Sequence, residues 1–395
     1  MRSEAQIGLG VQTLSSRPLS REKVPGKSRA ERFEEAFEFA MAQVMRLVKQ
    51  HPDYFPMYTV GGKWGLETDL WTNWCQGFFP GMMWLIHEHT KNRWFLEQAQ
   101  KHSSRVENRK YDTETHDFGF LFLPTYAPWY RHTGDPALRD VLVEAARTMA
   151  RRFQKGGYVC SFMGPESLLI CVLMNVEILL WVAQEIHDER MKEIAITHAR
   201  TVAAHLIRPD GSIVQEALFD AQSGVFLRNT THQGIHLGSC WARGLTWGIY
   251  AFGMFYKHTG DAGFLELAKR CARYYLSHVP PGMVPWWDFD LTEGDGWPRL
   301  HDSSAAASAA RGFFQLSELT SGAESLDHGE TALRILDTLT SSNYLAIKQP
   351  DWEGVLMHGV YHIRKKLGVD ESLIFGDYFF LDALLKGIKR ISAGG

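Results

Sequence analysis

The sequence predicts an all-α fold, an (α/α)6 toroid of six helical hairpins, with short β segments in loops at the mouth of the ring. Two phrases carry most of that prediction. Tyr130-Arg131-His132-Thr133-Gly134-Asp135 is nearly repeated as Tyr256-Lys257-His258-Thr259-Gly260-Asp261. Each stands where an apolar helical stretch ends and an amphipathic one begins. Glycine suits a left-handed helix C-cap, and the following aspartate suits the next N-cap. Segments apolar on every face, which must be buried, also alternate with segments apolar on one face. No alternating Val/Ile runs compete for a sheet.

Taken in order, residues 1–28 are polar, with Arg2, Arg17, Arg21, Lys23 and Lys27 and no apolar core of a signal peptide. They read as a flexible arm before a single (α/α)6 domain over 29–395. Helices are expected at 32–50, 77–89 and 93–109, the last two meeting at a weaker joint, His89-Thr90-Lys91-Asn92. A helix over 117–131 runs into the first Thr-Gly-Asp joint. The amphipathic helix 136–153 follows, with Leu138, Val141, Leu142, Ala145, Met149 and Phe153 at helical spacing. The helix 168–186 is apolar nearly all round, and after Ile186-His187-Asp188 the helix 189–207 repeats the one-faced pattern. The pair 239–257 and 262–278 flanks the second Thr-Gly-Asp joint. The helix 302–319 opens with small residues that permit close backbone approach, and Thr320-Ser321-Gly322 separates it from 328–342. A buried helix at 376–390 ends the count. Short strands are expected near 158–162, 213–228 and 283–290.

Composition narrows the class of function. Of 395 residues, 45% are hydrophobic and 22% charged, with a net charge of −3, which is ordinary for a globular protein and lacks the basic footprint of a nucleic-acid binder. No apolar run reaches membrane-spanning length. Five scattered cysteines without a C-x-x-C spacing read as free thiols, with no zinc site, in a cytoplasmic, reducing compartment. Oligomeric state is not readable from the sequence.

In a ring of antiparallel hairpins all inner helices run the same way, so their N-termini gather at one mouth. There stand Trp74-Cys75-Gln76-Gly77, His116-Asp117, Cys171, Trp241-Ala242-Arg243, Asp302-Ser303-Ser304 and Gly376-Asp377-Tyr378. Helix N-termini favour an anion, and aromatics favour a sugar face, so a carboxylated sugar fits. Each residue also has a structural reading. Asp117, Asp302 and Asp377 serve equally as N-caps, and most of the tryptophans, Trp71 among them, serve equally as packing. Arg243, inside an apolar helix, needs a carboxylate partner from protein or ligand.

These phrases resemble the unsaturated glucuronyl hydrolases, glycoside hydrolase family 88. The match runs from about Trp71 to Leu385 through Gly77-Phe78-Phe79-Pro80-Gly81-Met82, His116-Asp117-Phe118-Gly119-Phe120, Leu173-Met174-Asn175, Trp241-Ala242-Arg243-Gly244, Val284-Pro285-Trp286-Trp287-Asp288-Phe289, Asp302-Ser303-Ser304-Ala305-Ala306 and Gly376-Asp377-Tyr378-Phe379. The resemblance implies the same toroid and a cofactor-free, metal-free reaction. In it, a 4,5-unsaturated glucuronic acid is removed from the non-reducing end of lyase-generated oligosaccharides. A proton adds to C4 of the vinyl ether, water adds to C5, and the hemiketal opens. By position, Asp117 corresponds to the first essential aspartate, with His116 beside it at the sugar hydroxyls. Gln233, Trp241, Arg243 and Trp247 line the uronate pocket, Arg243 gripping the carboxylate in a bidentate way, and Trp74 and Trp247 wall the ring.

Two positions depart from the family pattern. Where the family carries its proton-donating aspartate this chain has Cys171, and where a histidine is usual it has Gln215, counted here among the substrate-binding residues. A thiol, with a reference pKa of about 8.5, is a poor general acid at neutral pH. Three readings stay open: an aspartate replaced in this chain, an enzyme working through Asp117 with Cys171 filling space, or a weakened enzyme or silent uronate-binding relative. A toroid hydrolase for another unsaturated product, such as one from rhamnogalacturonan, is a further alternative. An epimerase lacks paired histidines at recognisable spacing. The basic loop Arg364-Lys365-Lys366 offers Arg364 and Lys366 to a sulfate or second carboxylate on the next sugar, or reads as a solvated loop.

Overall fold

The computed structural model describes residues 26–65 and 74–394. Residues 1–25 of the expected arm, and Trp71, lie outside the described residues. The helix α1 (Arg29–Gln50) starts at Ser28, whose hydroxyl accepts the Glu31 N–H while Glu31 bonds back to the Ser28 N–H. A two-strand β1–β2 turn (Thr59–Val60 and Lys63–Trp64) follows.

The hairpins then come in the expected order. They are α2 (Phe78–Thr90) with α3 (Arg93–Ser104), and α4 (Phe118–Phe122) and α5 (Tyr126–Thr133) with α6 (Pro136–Ala150). Next are α7 (Ile170–Asn175) and α8 (Glu177–Ile186) with α9 (Glu189–His205), then α10 (Ala242–Thr259) with α11 (Ala262–His278) and α12 (Ser303–Leu319) with α13 (Gly322–Leu339). The last helix, α14 (Ile374–Gly394), pairs with α1. Around the inner ring α2 packs on α14, α14 on α12, α12 on α10, α10 on α7 and α7 on α4. Phe120 of α4 returns to Phe78 of α2 with ring centroids 5.1 Å apart, which closes the circle. This is the predicted six-hairpin toroid.

The joints behave as their chemistry dictates. Gly134 and Gly260 both take φ +71°, and Asp135 and Asp261 each accept an N–H two residues on at 2.9 Å. Lys91 and His187 take the same left-handed position without being glycine, at φ 58° and 56°. The fifth joint differs. Thr320 is the C-cap, and Gly322 opens α13 six residues ahead of the expected start.

Two expected inner helices are broken. The span 117–131 divides around Pro124, which has no N–H to donate and disfavours helix at the residue before it. The span 168–186 begins as strand β3 (Ser167–Leu169), because those residues pair with β4 (Glu216–Phe219), itself paired with β5 (Phe226–Thr230) in an antiparallel sheet. Near 158–162 and 283–290 only isolated bridges form, such as Phe153 to Val159 and Trp286 to His301. A hairpin of β6 (Gly359–His362) and β7 (Leu367–Glu371) was not expected; it leans over the mouth of the ring.

Candidate active site

A cavity of about 290 Å³ opens where α4, α7 and α10 begin, with β6 along its far side. Its wall includes Trp74, His116, Asp117, Cys171, Gln233, Trp241, Arg243 and Trp247.

Asp117 stands at the N-cap position of α4 but makes no capping bond with its side chain. Its oxygens are used elsewhere. Oδ2 accepts the Thr115 hydroxyl at 3.0 Å, and Oδ1 accepts Asn175 Nδ2 at 3.1 Å. Asn175 reaches it because α4 and α7 touch through Gly119: a Cβ there would lie 2.7 Å from the Asn175 Cα. The Asn175 amide also accepts the Phe120 N–H at 2.9 Å and donates to the Cys171 carbonyl at 3.1 Å, so one side chain ties both helices. Burial pushes the Asp117 carboxyl up to about 7, against the opposing pull of Thr115, Asn175, Arg109 and Arg152.

His116 is held in one tautomer. Its Nδ1 accepts the Phe162 N–H at 3.0 Å, so in the neutral ring the proton sits on Nε2, 3.3 Å from Asp117 Oδ1. Burial, assisted by Arg152, lowers the His116 pKa to about 3, which keeps the ring neutral at ordinary pH. The Phe162 ring lies parallel to it and is 41% exposed at the mouth. Arg152 joins the two loops by donating to the carbonyls of Thr113, Cys160 and Ser161.

On the opposite wall Arg243 is 2% exposed. Its Nη1 donates to Asp302 Oδ2 at 2.9 Å, Ser304 Oγ at 3.2 Å and the Val360 carbonyl at 2.9 Å, and its Nη2 to the Tyr361 carbonyl at 2.9 Å. The guanidinium lies over the Trp241 and Phe375 rings. Asp302 is also a true N-cap, accepting the N–H groups of Ser304 and Ala305. Asp377 is neither a cap nor a cavity residue: it lies within α14 and accepts the N–H groups of Val355 and Leu356.

A family model described as Glycosyl Hydrolase Family 88 matches residues 44–284. The chain belongs to glycosyl hydrolase family 88. It is 31% identical over 366 residues to an unsaturated glucuronyl hydrolase of Bacillus sp., covering 90% of this chain and 96% of that protein. It is 33% identical to an unsaturated chondroitin disaccharide hydrolase of Streptococcus agalactiae, covering 80% of this chain and 82% of the relative. A crystal structure of an unsaturated glucuronyl hydrolase specific for heparin superposes with a TM-score of 0.85 at 30% identity, covering 92% of this chain and 98% of that one.

Within this family 88 chain, three expected binding residues stand off the cavity wall. Gln215 is buried behind it, accepting the Thr231 hydroxyl and the N–H groups of His232 and Gln233 while donating to Gln233 Oε1 at 2.7 Å. It shapes the loop that carries Gln233, whose own amide donates to the Tyr361 carbonyl at 2.7 Å. Arg364 is engaged by the carbonyls of Gly234 and Ile235 at 2.9 and 2.7 Å and lies over Trp297. Lys366 is exposed in a left-handed turn outside the cavity. The two Nη1 hydrogens of Arg243 are already shared among three protein acceptors, so the expected bidentate grip would use the Nε–Nη2 edge and not the Nη1–Nη2 edge.

Other wall residues were not anticipated as such. Tyr361 accepts the Trp74 indole N–H at 3.3 Å through its hydroxyl. His232 and His362, 130 positions apart, meet edge to face with centroids 4.8 Å apart, a pairing that no sequence spacing announces. Burial and the nearby cations lower them to about 4 and 3. Asn175, buried behind the wall, had a signal, being with Glu177 one of two polar residues in an apolar run and four residues from Cys171. The Cys171 thiol is pushed up to about 12, first by burial and then by the Asp117 charge, with Trp247 hydrogen-bonded to it. Among the described residues no group of three His, Cys, Asp or Glu side chains is placed to hold a metal ion.

Proposed function

We propose that this family 88 enzyme removes a 4,5-unsaturated glucuronic acid from the non-reducing end of lyase-generated oligosaccharides by hydrating the C4–C5 vinyl ether. The observation that carries the reading is the single cavity in which Asp117, His116, Gln233, Arg243 and three tryptophans meet. In this reading Trp74 and Trp247 wall the sugar ring, and His116 and Asp117 meet its hydroxyls. The uronate carboxylate lies toward Gln233 and Arg243, taking an N–H that the protein has not used. The activities for which the relatives are named support the substrate class. No described helix is long and apolar enough to cross a membrane. The five free cysteines support placing the enzyme in the cytoplasm.

The test is incubation with the unsaturated disaccharide made by a chondroitin lyase, following the ultraviolet absorbance of the conjugated double bond. Steady loss of absorbance is expected. The Cys171 position favours one second reading, a silent uronate-binding relative. That reading predicts saturable binding of the same disaccharide with no absorbance loss at any enzyme concentration, in the Cys171→Asp variant as well.

A further inference from the structure

Hydrating a vinyl ether needs a group that gives a proton to carbon and a group that takes one from water. Among the described residues three carboxylates reach the cavity wall: Asp112, Glu114 and Asp117. Asp112 is paired with Arg109 Nη2 at 2.8 Å, and Glu114 is exposed at the rim. Asp117 alone is buried on the wall. Among the described residues the groups that face it are His116 on its own loop, Arg109 after α3, Arg152 at the end of α6, Cys171 on α7, Tyr361 across the cavity and Cys75 buried behind the wall.

The hydrogen bonds around Asp117 are asymmetric. Oδ1 faces N–H donors that cannot accept, Asn175 Nδ2 and the Nε2–H of a His116 ring whose tautomer is fixed by the Phe162 backbone. Among the described residues Oδ2 meets only a hydroxyl, and that hydroxyl is itself anchored by the Asp117 N–H at 3.1 Å. A proton bound to Asp117 therefore belongs on Oδ2.

Resting on the reading of the reaction above, we infer that Asp117 is both the acid and the base of the hydration in this chain, while the Cys171 thiol occupies the neighbouring place without exchanging a proton. The C4–C5 π pair takes the Oδ2 proton and forms the C4–H bond, leaving positive charge on C5 shared with the ring oxygen. A water oxygen then bonds to C5 and its surplus proton returns to the Asp117 carboxylate. One water is added and Asp117 is regenerated. The hemiketal opens by breaking the C5–ring-oxygen bond, and the hemiacetal left at C1 releases the aglycone alcohol. The alternative acid, Cys171, would have to leave a thiolate on the half-buried wall beside Asp117. His116 and Asn175 are positioning residues, since they act on the reaction only through Asp117.

The experiment measures kcat against pH for the full chain on the unsaturated chondroitin disaccharide. It is repeated for Cys171→Ala, Cys171→Ser, Cys171→Asp and Asp117→Asn, with thermal unfolding checking that each variant folds. The acid form of Asp117 is the active one, so kcat is expected to hold at acid pH and fall as pH rises through about 7. The Ala and Ser variants should keep that descending limb and lose less than about tenfold in kcat, whereas Asp117→Asn should lose about a thousandfold. The pH limb of the unaltered enzyme needs no variant to fold. A loss of about a hundredfold or more in folded Cys171→Ala and Cys171→Ser would assign the proton to the thiol and overturn the inference. An inert wild type beside an active Cys171→Asp would also overturn it while leaving the proposed reaction intact. If the wild type and Cys171→Asp are both inert, the proposed reaction and this inference fall together.

Discussion

Arg243 Nη1 lies 2.9 Å from Asp302 Oδ2, and both side chains are buried. The arginine was expected to need a carboxylate, and the protein supplies it from the cap of the next inner helix. Asp302→Asn keeps a capping side chain but leaves the guanidinium with no counter-charge in a buried site. It is expected to destabilise the fold by about 3–5 kcal/mol, measured by urea unfolding. A loss below about 1 kcal/mol would show that hydrogen bonds to Ser304, Val360 and Tyr361 suffice.

Gly119 lets α4 rest directly on α7. With a Cβ only 2.7 Å from the Asn175 Cα and 2.8 Å from its carbonyl oxygen, Gly119→Ala must push the two helices apart. The expected cost is about 1–3 kcal/mol in thermal unfolding, and kcat should fall by more than the stability loss explains, because Asp117 loses its Asn175 contact. Activity equal to the parent enzyme would refute that coupling.

Asn175→Ala removes a donor that holds the Asp117 carboxyl down. Its pKa should therefore rise further, and the descending limb of the kcat profile should move to higher pH by about one unit. A variant that only destabilises the fold would lower the yield of enzyme and leave the limb where it was.

Arg364 and Lys366 stand two positions apart in the basic loop but differ in role. Arg364→Ala releases the carbonyls of Gly234 and Ile235 and so loosens the loop bearing His232 and Gln233; KM should rise about tenfold. Lys366→Ala should change kcat/KM by no more than about twofold. Steady-state kinetics on the unsulfated disaccharide decides between equal and unequal effects.

The features readable from the sequence were local ones. A Thr-Gly-Asp joint needs only its own backbone and the next turn, so Gly134 and Gly260 marked the hairpins at once, and the ring followed by counting them. The residues of the wall were found through phrases at helix starts and through the family resemblance. What stayed hidden was pairing across the ring. Asp302 carries an ordinary N-cap signature that conceals its second bond to Arg243, 59 positions away. Asn175 meets Asp117 across 58 positions, and His232 meets His362 only once β6 folds over the mouth. Pro124 did announce the break between α4 and α5, but the helical spacing around it outweighed the signal. Leu168 and Leu169 looked helical because strand pairing with Glu216–Phe219 depends on residues some fifty positions on.

The first described helix, α1, packs on the last one, α14, and α14 is also the neighbour of α2 in the inner ring. The circle therefore has a seam where the two ends of the described chain meet, and α1 is also tied to the preceding hairpin by Arg29 and Arg32, which pair with Asp337 of α13. During synthesis every earlier hairpin can form while an apolar flank stays open, and that flank is covered only once α14 has left the ribosome. Truncation from the far end thus differs from trimming a loop: it turns a closed circle into an arc with two raw edges, and the expected outcome is a chain that chaperones retain and proteases remove.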